Sequence, residues 1–126
     1  MGDRGIIKVY QQNNYAPVYL YTHWRGSEIY GVVKRALSRR ARWDECAYLT
    51  RIIFCELVAG EEGNETGFGI STFIPDNEHT IIGVNTESQM ISFEERDGSG
   101  RVKFEMSFED FINRKDKYSK LEQHEL

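Results

Sequence analysis

The chain has 126 residues, of which 40% are hydrophobic and 29% charged, and its net charge at neutral pH is −4. This length suits one domain with one hydrophobic core that needs no disulfide or structural metal. No apolar run approaches the roughly 18 residues of a membrane-spanning helix, and the N-terminus lacks the apolar core of a signal peptide. We therefore expect a cytoplasmic protein with no membrane partner and no cofactor.

Two alternating runs near the N-terminus predict a β-hairpin. They cover residues 5–12 and 18–24 and are separated by a polar turn. Because successive side chains of a strand point to opposite faces, Tyr19, Tyr21 and His23 share one face of the second strand. We expect a hairpin with one apolar face and one face rich in aromatic rings.

An amphipathic helix with a basic outer surface is predicted after the hairpin. Ser27 is its expected N-cap, and the carboxylate of Glu28 suits the positive end of the helix dipole. Asp44 is the expected N-cap of a second helix over residues 45–59. Apolar side chains nearly encircle that helix, which is typical of a central position, where the charged residues Arg51 and Glu56 need partners.

The two cysteines agree with a reducing compartment. Cys46 and Cys55 lie nine residues apart on the second predicted helix. That spacing turns them about 180° apart around the helix axis, so they cannot form a disulfide there. Two free thiols are typical of an intracellular protein.

The second half of the chain alternates in the manner of strands. Residues 97–100, Asp-Gly-Ser-Gly, predict a hairpin turn between the last two strands, after which Val102, Phe104 and Met106 are expected to point inward. Ser107 begins a weak capping box that predicts a short final helix. The predicted strands cover residues 67–73, 80–84, 89–95 and 101–106.

The order of these elements predicts an α+β fold. Strands and helices follow one another as β-β-α-α-β-β-β-β-α, which favours a mainly antiparallel sheet with a helix pair packed on one face. We expect residues 1–113 to form a single α+β domain and residues 114–126 to be a charged, frayed C-terminal tail. The order of the strands within the sheet stays open.

Charged and aromatic residues are unevenly distributed. Residues 1–51 contain nine basic and four acidic side chains, a net charge of +5, whereas residues 52–126 have a net charge of −9. Six of the seven tyrosines and both tryptophans fall within the first 48 residues. Tyrosine, tryptophan and arginine together are typical of binding hot spots, and they also suit stacking on bases and neutralising phosphates. The alternative is that the two halves neutralise each other and the rings pack along the sheet.

A ligand-binding site is predicted where the second strand leads into the first helix. A helix N-terminus offers free backbone N–H groups and a positive dipole to an anion. The side chains expected to contribute are Tyr19, Tyr21, His23, Trp24, Arg25, Ser27 and Arg51. The simpler alternative is that Ser27 caps the helix, while His23 and Arg25 make local or solvent contacts.

A catalytic site is a second interpretation. The sequence has no phosphate-binding loop, paired-cysteine motif or nucleophile elbow. The candidates for acid–base chemistry are His23, Glu28, Asp76 and His79, which would have to converge within about 3 to 6 Å of one point. The alternative for residues 76–79 is a turn stabilised by an Asp or Asn side chain. A zinc site would need ligands at wide spacings, so no metal is predicted.

Five short motifs in the first two thirds of the chain carry a resemblance. They are YLYTHWRGSE at 19–28, RWD at 42–44, YLTRIIF at 48–54, GFGIS at 67–71 and DNEH at 76–79. Over about residues 5–84 the sequence resembles a family of small uncharacterised proteins of bacteria, archaea and their viruses. The resemblance implies a viral or mobile-element setting, but no activity, ligand or catalytic residue.

The sequence therefore favours a small non-enzymatic binding or accessory module. The expected partner is a protein or a small anionic, nucleotide-like ligand, and the expected surface joins the aromatic face of the hairpin to the basic helix. Nucleic acid is disfavoured by an isoelectric point of about 5.4 and by the lack of a reader motif. Two alternatives stay open: a small hydrolase or nuclease using the four acid–base candidates, and a domain that forms a homo-oligomer through its tyrosine-rich face.

Overall fold

The computed structural model describes residues 2–11 and 16–114 of the chain. Most of the predicted hairpin turn, and the predicted tail from residue 115 onward, lie outside these described residues. Within the described ranges, no helix has both the length and the apolar composition needed to cross a membrane.

The predicted α+β class and the predicted order of elements are confirmed. Ser107 caps the last helix as expected, because its hydroxyl accepts a hydrogen bond from the Asp110 N–H at 3.0 Å. The strands are β1 Gly5–Tyr10, β2 Val18–Thr22, β3 Phe68–Ser71, β4 Ile81–Asn85, β5 Met90–Glu94 and β6 Val102–Ser107. The helices are α1 Ile29–Leu37, α2 Cys46–Leu57 and α3 Phe108–Asn113, with a short 3-10 helix at Gly26–Glu28.

The strands form one sheet in the order β3-β2-β1-β4-β5-β6. Neighbouring strands are antiparallel except β1 and β4, which run parallel with Ile7 opposite Ile82. The sheet therefore consists of two antiparallel three-stranded halves joined by one parallel pairing. The sequence leaves this order open, because a buried strand shows the same apolar run whichever partner it has.

The helices cover one face of the sheet. Ile7 and Val9 of β1 point to that face and pack with residues of all three α-helices in the main core. Ile6 and Ile81 are equally buried but lie outside this core, because they point to the opposite, helix-free face. Since β3 and β4 run in the same direction, the connection over residues 72–80 has to return from one end of the sheet to the other.

The predicted N-caps of α1 and α2 are wrong. Ser27 does not cap α1, because its hydroxyl donates to Asp3 Oδ2 at 2.6 Å and its backbone belongs to the short 3-10 helix. Asp44 does not cap α2, which follows Glu45 without any side-chain cap hydrogen bond. A residue caps a helix only if its backbone adopts the extended conformation at the helix start. Here Ser27 instead hydrogen-bonds to Asp3, a residue distant in sequence.

The helix α2 is less central than its composition predicts. A single sheet with helices on one face leaves the outer side of each helix in water, so Arg51 lies at the surface and needs no buried partner. Cys46 and Cys55 are free thiols on this helix, as predicted. The buried stripe of α2 consists of Leu49, Ile52, Ile53 and Leu57.

A β-bulge turns Val102 away from the core. Phe104 lies opposite Phe93, whereas Val102 lies opposite Glu94, so the register shifts by one residue. Because directly opposite residues point to the same face, Val102 follows Glu94 to the helix-free face and is 44% exposed. The predicted inward position is therefore wrong for Val102, while Phe104 and Met106 pack against the core.

A buried carboxylate lies on the helix-free face. Glu94 is 3% exposed. It accepts a hydrogen bond from Ser92 Oγ at 2.8 Å and forms an ion pair with Lys8 Nζ at 3.2 Å. A Cβ atom at Gly83 would overlap Ser92 Oγ and lie 2.6 Å from Glu94 Oε2. The missing side chain of Gly83 thus leaves the space that this polar cluster occupies.

We predict that Gly83→Ala lowers the free energy of unfolding by about 1 to 3 kcal/mol, because the added methyl group displaces the buried carboxylate and hydroxyl. The matched control is Gly69→Ala on β3, where an added Cβ meets nothing within 4 Å. The control should change the unfolding free energy by less than about 0.5 kcal/mol. Urea denaturation measures both, and equal effects of the two substitutions would contradict the packing described here.

Candidate functional site

The tyrosines of the predicted aromatic face lie on the helix-free side of the sheet. Tyr19 and Tyr21 are half-buried on β2, opposite Lys8 and Ile6 of β1. The hydroxyl of Tyr21 lies 3.1 Å from His23 Nδ1. The basic helix α1 packs on the other side of the sheet, so the aromatic and basic parts of the expected surface are not continuous.

Trp24 and Arg25 connect the end of β2 to neighbouring elements. Trp24 is 44% exposed and lies edge-on to Phe68, with ring centroids 6.2 Å apart. Arg25 Nη1 donates to the Leu57 carbonyl at 2.9 Å, and Arg25 Nη2 lies 3.6 Å from Glu61 Oε2. Because Leu57 ends α2, this hydrogen bond satisfies a carbonyl that has no partner within the helix. Arg25 therefore holds α2 against the sheet.

Ser27 and His79 meet at Asp3, a residue that no sequence motif singles out. Asp3 Oδ2 accepts hydrogen bonds from Ser27 N at 3.0 Å and Ser27 Oγ at 2.6 Å, and Oδ1 contacts His79 Nε2 at 2.5 Å. The backbone of Asp3 also binds the His23 carbonyl and the Gly26 N–H. We call Asp3, Ser27 and His79 the N-terminal clamp, because they fasten the chain start to two other segments.

The N-terminal clamp has the composition of a serine triad but a different order. In such a triad the imidazole lies between hydroxyl and carboxylate, so that it can take the hydroxyl proton. Here the hydroxyl and the imidazole both contact the carboxylate. Burial raises the pKa of Asp3, but hydrogen bonds from Ser27 and His79 outweigh burial and lower this pKa below 3.8. A carboxylate stabilised in this way is a weak base, which favours a structural role.

The other acid–base candidates lie at the surface. Glu28 and Asp76 are exposed, whereas His79 is part of the N-terminal clamp. Asn77 Oδ1 accepts a hydrogen bond from the His79 N–H at 2.9 Å, which is the turn expected as the alternative for this segment. Among residues 2–11 and 16–114, no three His, Cys, Asp or Glu side chains are arranged to hold a metal ion.

A basic groove lies between α1 and α2, and we call it the α1–α2 groove. It arises because the apolar stripe of α1 faces the sheet and turns the basic residues outward. Its volume of about 610 Å³ is in the range of small-molecule sites. Its lining residues are Gly31, Lys34, Arg35, Ser38, Arg39 and Glu56.

Glu56 organises the cations of the α1–α2 groove. Its carboxylate accepts a hydrogen bond from Arg39 Nη2 at 2.6 Å and another from Arg35 Nε at 3.3 Å. The hydrogen bond from Arg39 is the main reason that the pKa of Glu56 is lowered, against the opposing effect of partial burial. Both guanidinium side chains stay about half exposed, at 58% for Arg35 and 48% for Arg39. With Lys34 they give the groove lining a net positive charge.

The turn after α1 gathers arginines and aromatic rings. Arg40 lies 5.5 Å from the ring centroid of Trp43, and Arg42 lies 5.0 Å from that of Tyr48. Both arginines have positive φ angles, 54° and 62°, in the left-handed region that favours glycine. Arg40 also forms two 2.8 Å hydrogen bonds with Glu109. A mixture of Tyr, Trp and Arg thus occurs at this turn, at the end of the basic helix.

The sequence indicated the basic surface of α1 and the need of Glu56 for a partner, but not that Glu56 meets Arg35 and Arg39. Arg51, a predicted ligand residue, is exposed with Nη1 3.7 Å from Cys55 Sγ, and it does not line the α1–α2 groove. Glu56 does line this groove. In the sequence it stands out as a lone carboxylate in an otherwise apolar stretch of the helix. Asp3 of the N-terminal clamp has no such signal, because its partners are distant in sequence.

No protein-family model, no curated protein and no solved structure matches the chain. The resemblance of its short motifs supplies no activity either. The function of the domain is therefore inferred from the positions and charges of its own side chains.

We predict that the contribution of Asp3 to stability is lost at low pH. The pKa of Asp3 is lower in the folded chain than its ordinary value of 3.8. A group of this kind stabilises the fold above its unfolded pKa, and this stabilisation disappears as the pH falls through the folded pKa. The unfolding free energy of the wild type should exceed that of Asp3→Asn at pH 5, and the difference should shrink toward about pH 2.

Urea denaturation of both proteins across that pH range measures this difference directly. Comparing the wild type with the variant cancels the titration of carboxylates that Asp3 does not influence, such as Glu109, whose pKa is also lowered. A difference that stays constant down to the lowest pH would show that the carboxylate charge of Asp3 plays no part in the N-terminal clamp.

Proposed function

We propose that this domain is a small non-enzymatic binding module for a phosphate-bearing, nucleotide-like ligand, and that the ligand occupies the α1–α2 groove. The observation that carries the proposal is the pair formed by Arg35 and Arg39, which flank one carboxylate in a groove of about 610 Å³. Guanidinium groups are suited to phosphate because they offer several N–H donors in a fixed plane.

Glu56 fixes the positions of the cations in the α1–α2 groove before a ligand binds. The carboxylate keeps two guanidinium groups on one side of the groove, so little side-chain ordering is needed when an anion arrives. Each guanidinium uses one nitrogen on Glu56 and has further N–H groups for a ligand. Lys34 Nζ donates to the Arg114 carbonyl and adds positive charge close by.

The strained turn after α1 supports the same site. Arg40 and Arg42 adopt the left-handed backbone region at a cost of roughly 1 kcal/mol each, although glycine would avoid it. Such strain is typical of functional segments. The turn adjoins Arg39 of the α1–α2 groove, while Arg40 and Arg42 form ion pairs with Glu109 and Glu45. A viral or mobile-element role for such a module rests on the motif resemblance alone.

We predict opposite effects of two substitutions in the α1–α2 groove. Arg39→Ala should weaken the binding of pyrophosphate and of ATP by about tenfold or more, because a charge-assisted hydrogen bond to phosphate is lost. Glu56→Gln should strengthen the binding of both, because the loss of a competing negative charge outweighs the weaker hold of a single amide oxygen on the two guanidinium groups. Isothermal titration calorimetry at low and high salt measures the affinities, which should fall as salt screens the charges.

The matched control is Arg101→Ala, which removes an exposed arginine just before β6 that does not line the α1–α2 groove. This control should leave the affinity unchanged. Equal losses of affinity in Arg39→Ala and Arg101→Ala would indicate that anion binding depends only on the net charge of the protein. Absence of binding to the wild type at low salt would contradict the proposed function itself.

A further inference from the structure

The sheet ends on one side in an unprotected strand. We call residues 67–74 the β3 edge; this segment contains no charged residue and no proline. Ile70 is 60% exposed and Phe73 is 67% exposed. In the part of the chain that the structure describes, β3 pairs with β2 alone. An exposed apolar edge of this kind is a template for pairing with another extended chain.

The opposite edge of the sheet is built differently. The strand β6 carries the charged residues Lys103 and Glu105, and its register with β5 is broken by the bulge near Val102. Charged side chains and bulges are the usual means by which proteins keep edge strands from pairing with other chains. The β3 edge lacks both, so the two edges of one sheet differ in their readiness to accept a strand.

The backbone of β3 has hydrogen-bonding groups directed away from the sheet. His23 N donates to the Gly67 carbonyl at 2.8 Å, and the same register places Gly69 opposite Tyr21. In an antiparallel pair the hydrogen-bonded positions alternate. The N–H and C=O groups of Phe68 and Ile70 therefore point outward, where an added strand would meet them.

An acidic cleft lies beside this edge. Its volume is about 330 Å³, and it lies on the same side of the sheet as the helices. Phe68 lines the cleft, and Ile70 shares its face of β3, since these two residues lie opposite Thr22 and Leu20. The other lining residues are Phe54, Val58, Glu61, Glu62 and Asn64.

The negative charge of the cleft favours a positively charged partner. Residues 60–74 include Glu61, Glu62 and Glu65 but no basic side chain. Arg25 Nη2 lies 3.6 Å from Glu61, while Glu62 Oε2 accepts only a backbone hydrogen bond from Gly60 among the contacts described. An apolar floor below a carboxylate rim suits a lysine or arginine side chain, whose stem packs on the floor while its charge meets the rim.

We propose that the β3 edge binds an extended, cationic segment of a partner protein by adding it as a seventh strand to the sheet. The backbone groups of Phe68 and Ile70 hold the segment, and alternate side chains of the segment point into the acidic cleft. A basic residue at those positions pairs with Glu61 and Glu62. This site shares no lining residue with the α1–α2 groove, so the two proposals can be tested independently of each other.

Two fluorescein-labelled peptides of nine residues test the proposal by fluorescence anisotropy at low salt. One alternates lysine with threonine and valine, and the other has glutamate in place of each lysine. The lysine peptide should bind the wild-type protein, and the glutamate peptide should not. Glu61→Gln combined with Glu62→Gln should weaken binding of the lysine peptide about fivefold or more.

Substitutions at Ile70 separate backbone pairing from simple charge attraction. Ile70→Pro removes an outward N–H that the sheet does not use, at an edge position where proline is tolerated. It should weaken peptide binding at least about tenfold, whereas the control Ile70→Thr, which keeps the N–H, should change binding less than about threefold. Circular dichroism checks that both variants fold. If Ile70→Pro does not fold, a lysine peptide N-methylated at alternate positions replaces it, and the wild type should bind it at least about tenfold more weakly.

Three results would overturn the proposal. The first is equal binding of the two peptides, and the second is equal behaviour of Ile70→Pro and Ile70→Thr. The third is a dimer in light scattering of the wild type that Ile70→Pro dissociates, because the β3 edge would then bind a second copy of this chain.

Discussion

The parallel pairing of β1 with β4 is the contact on which the rest of this domain depends. In the sheet of the described residues it is the one strand pairing between two antiparallel three-stranded halves, and it joins segments more than 70 residues apart. Short segments before both strands extend the junction: Glu78 N donates to the Arg4 carbonyl at 2.9 Å, and Arg4 N donates to Glu78 Oε1 at 2.8 Å. The N-terminal clamp then adds Asp3 and His79 at the same end. His79, one of the four acid–base candidates of the sequence, thus serves this junction.

The same junction decides which surfaces are left for binding. Joining the halves into one sheet puts the helices on one face, which separates Tyr19 and Tyr21 from the basic helix. What remains on the helix side is the α1–α2 groove, where Arg35 and Arg39 share the carboxylate of Glu56. Buried apolar residues hold α1 in place, so its outward cations lie on a rigid element rather than on a loop.

The sequence predicted the class, the order of elements and most strands correctly, because apolar periodicity and turn residues are local signals. It did not predict the strand order, the bulge at Val102 or the N-terminal ends of α1 and α2, whereas the local capping motif at Ser107 was predicted correctly. The same distinction applies to the site. The basic outer side of α1 follows from its amphipathic pattern, whereas the roles of Asp3 and Glu56 depend on partners that only the folded chain brings close. Arg25 is an example of a role that depends on a distant segment, since its guanidinium donates to the Leu57 carbonyl at the end of α2.

We propose above all that the cations of α1, rather than the aromatic hairpin, receive an anion. Amide chemical shifts of the nitrogen-15-labelled protein during a pyrophosphate titration test it most directly, because they locate binding residue by residue. We predict saturable shifts at the amides of Gly31, Ser38 and Arg39 and at the Arg35 side chain. Shifts confined to residues 19–28, or the absence of saturable shifts anywhere, would contradict it.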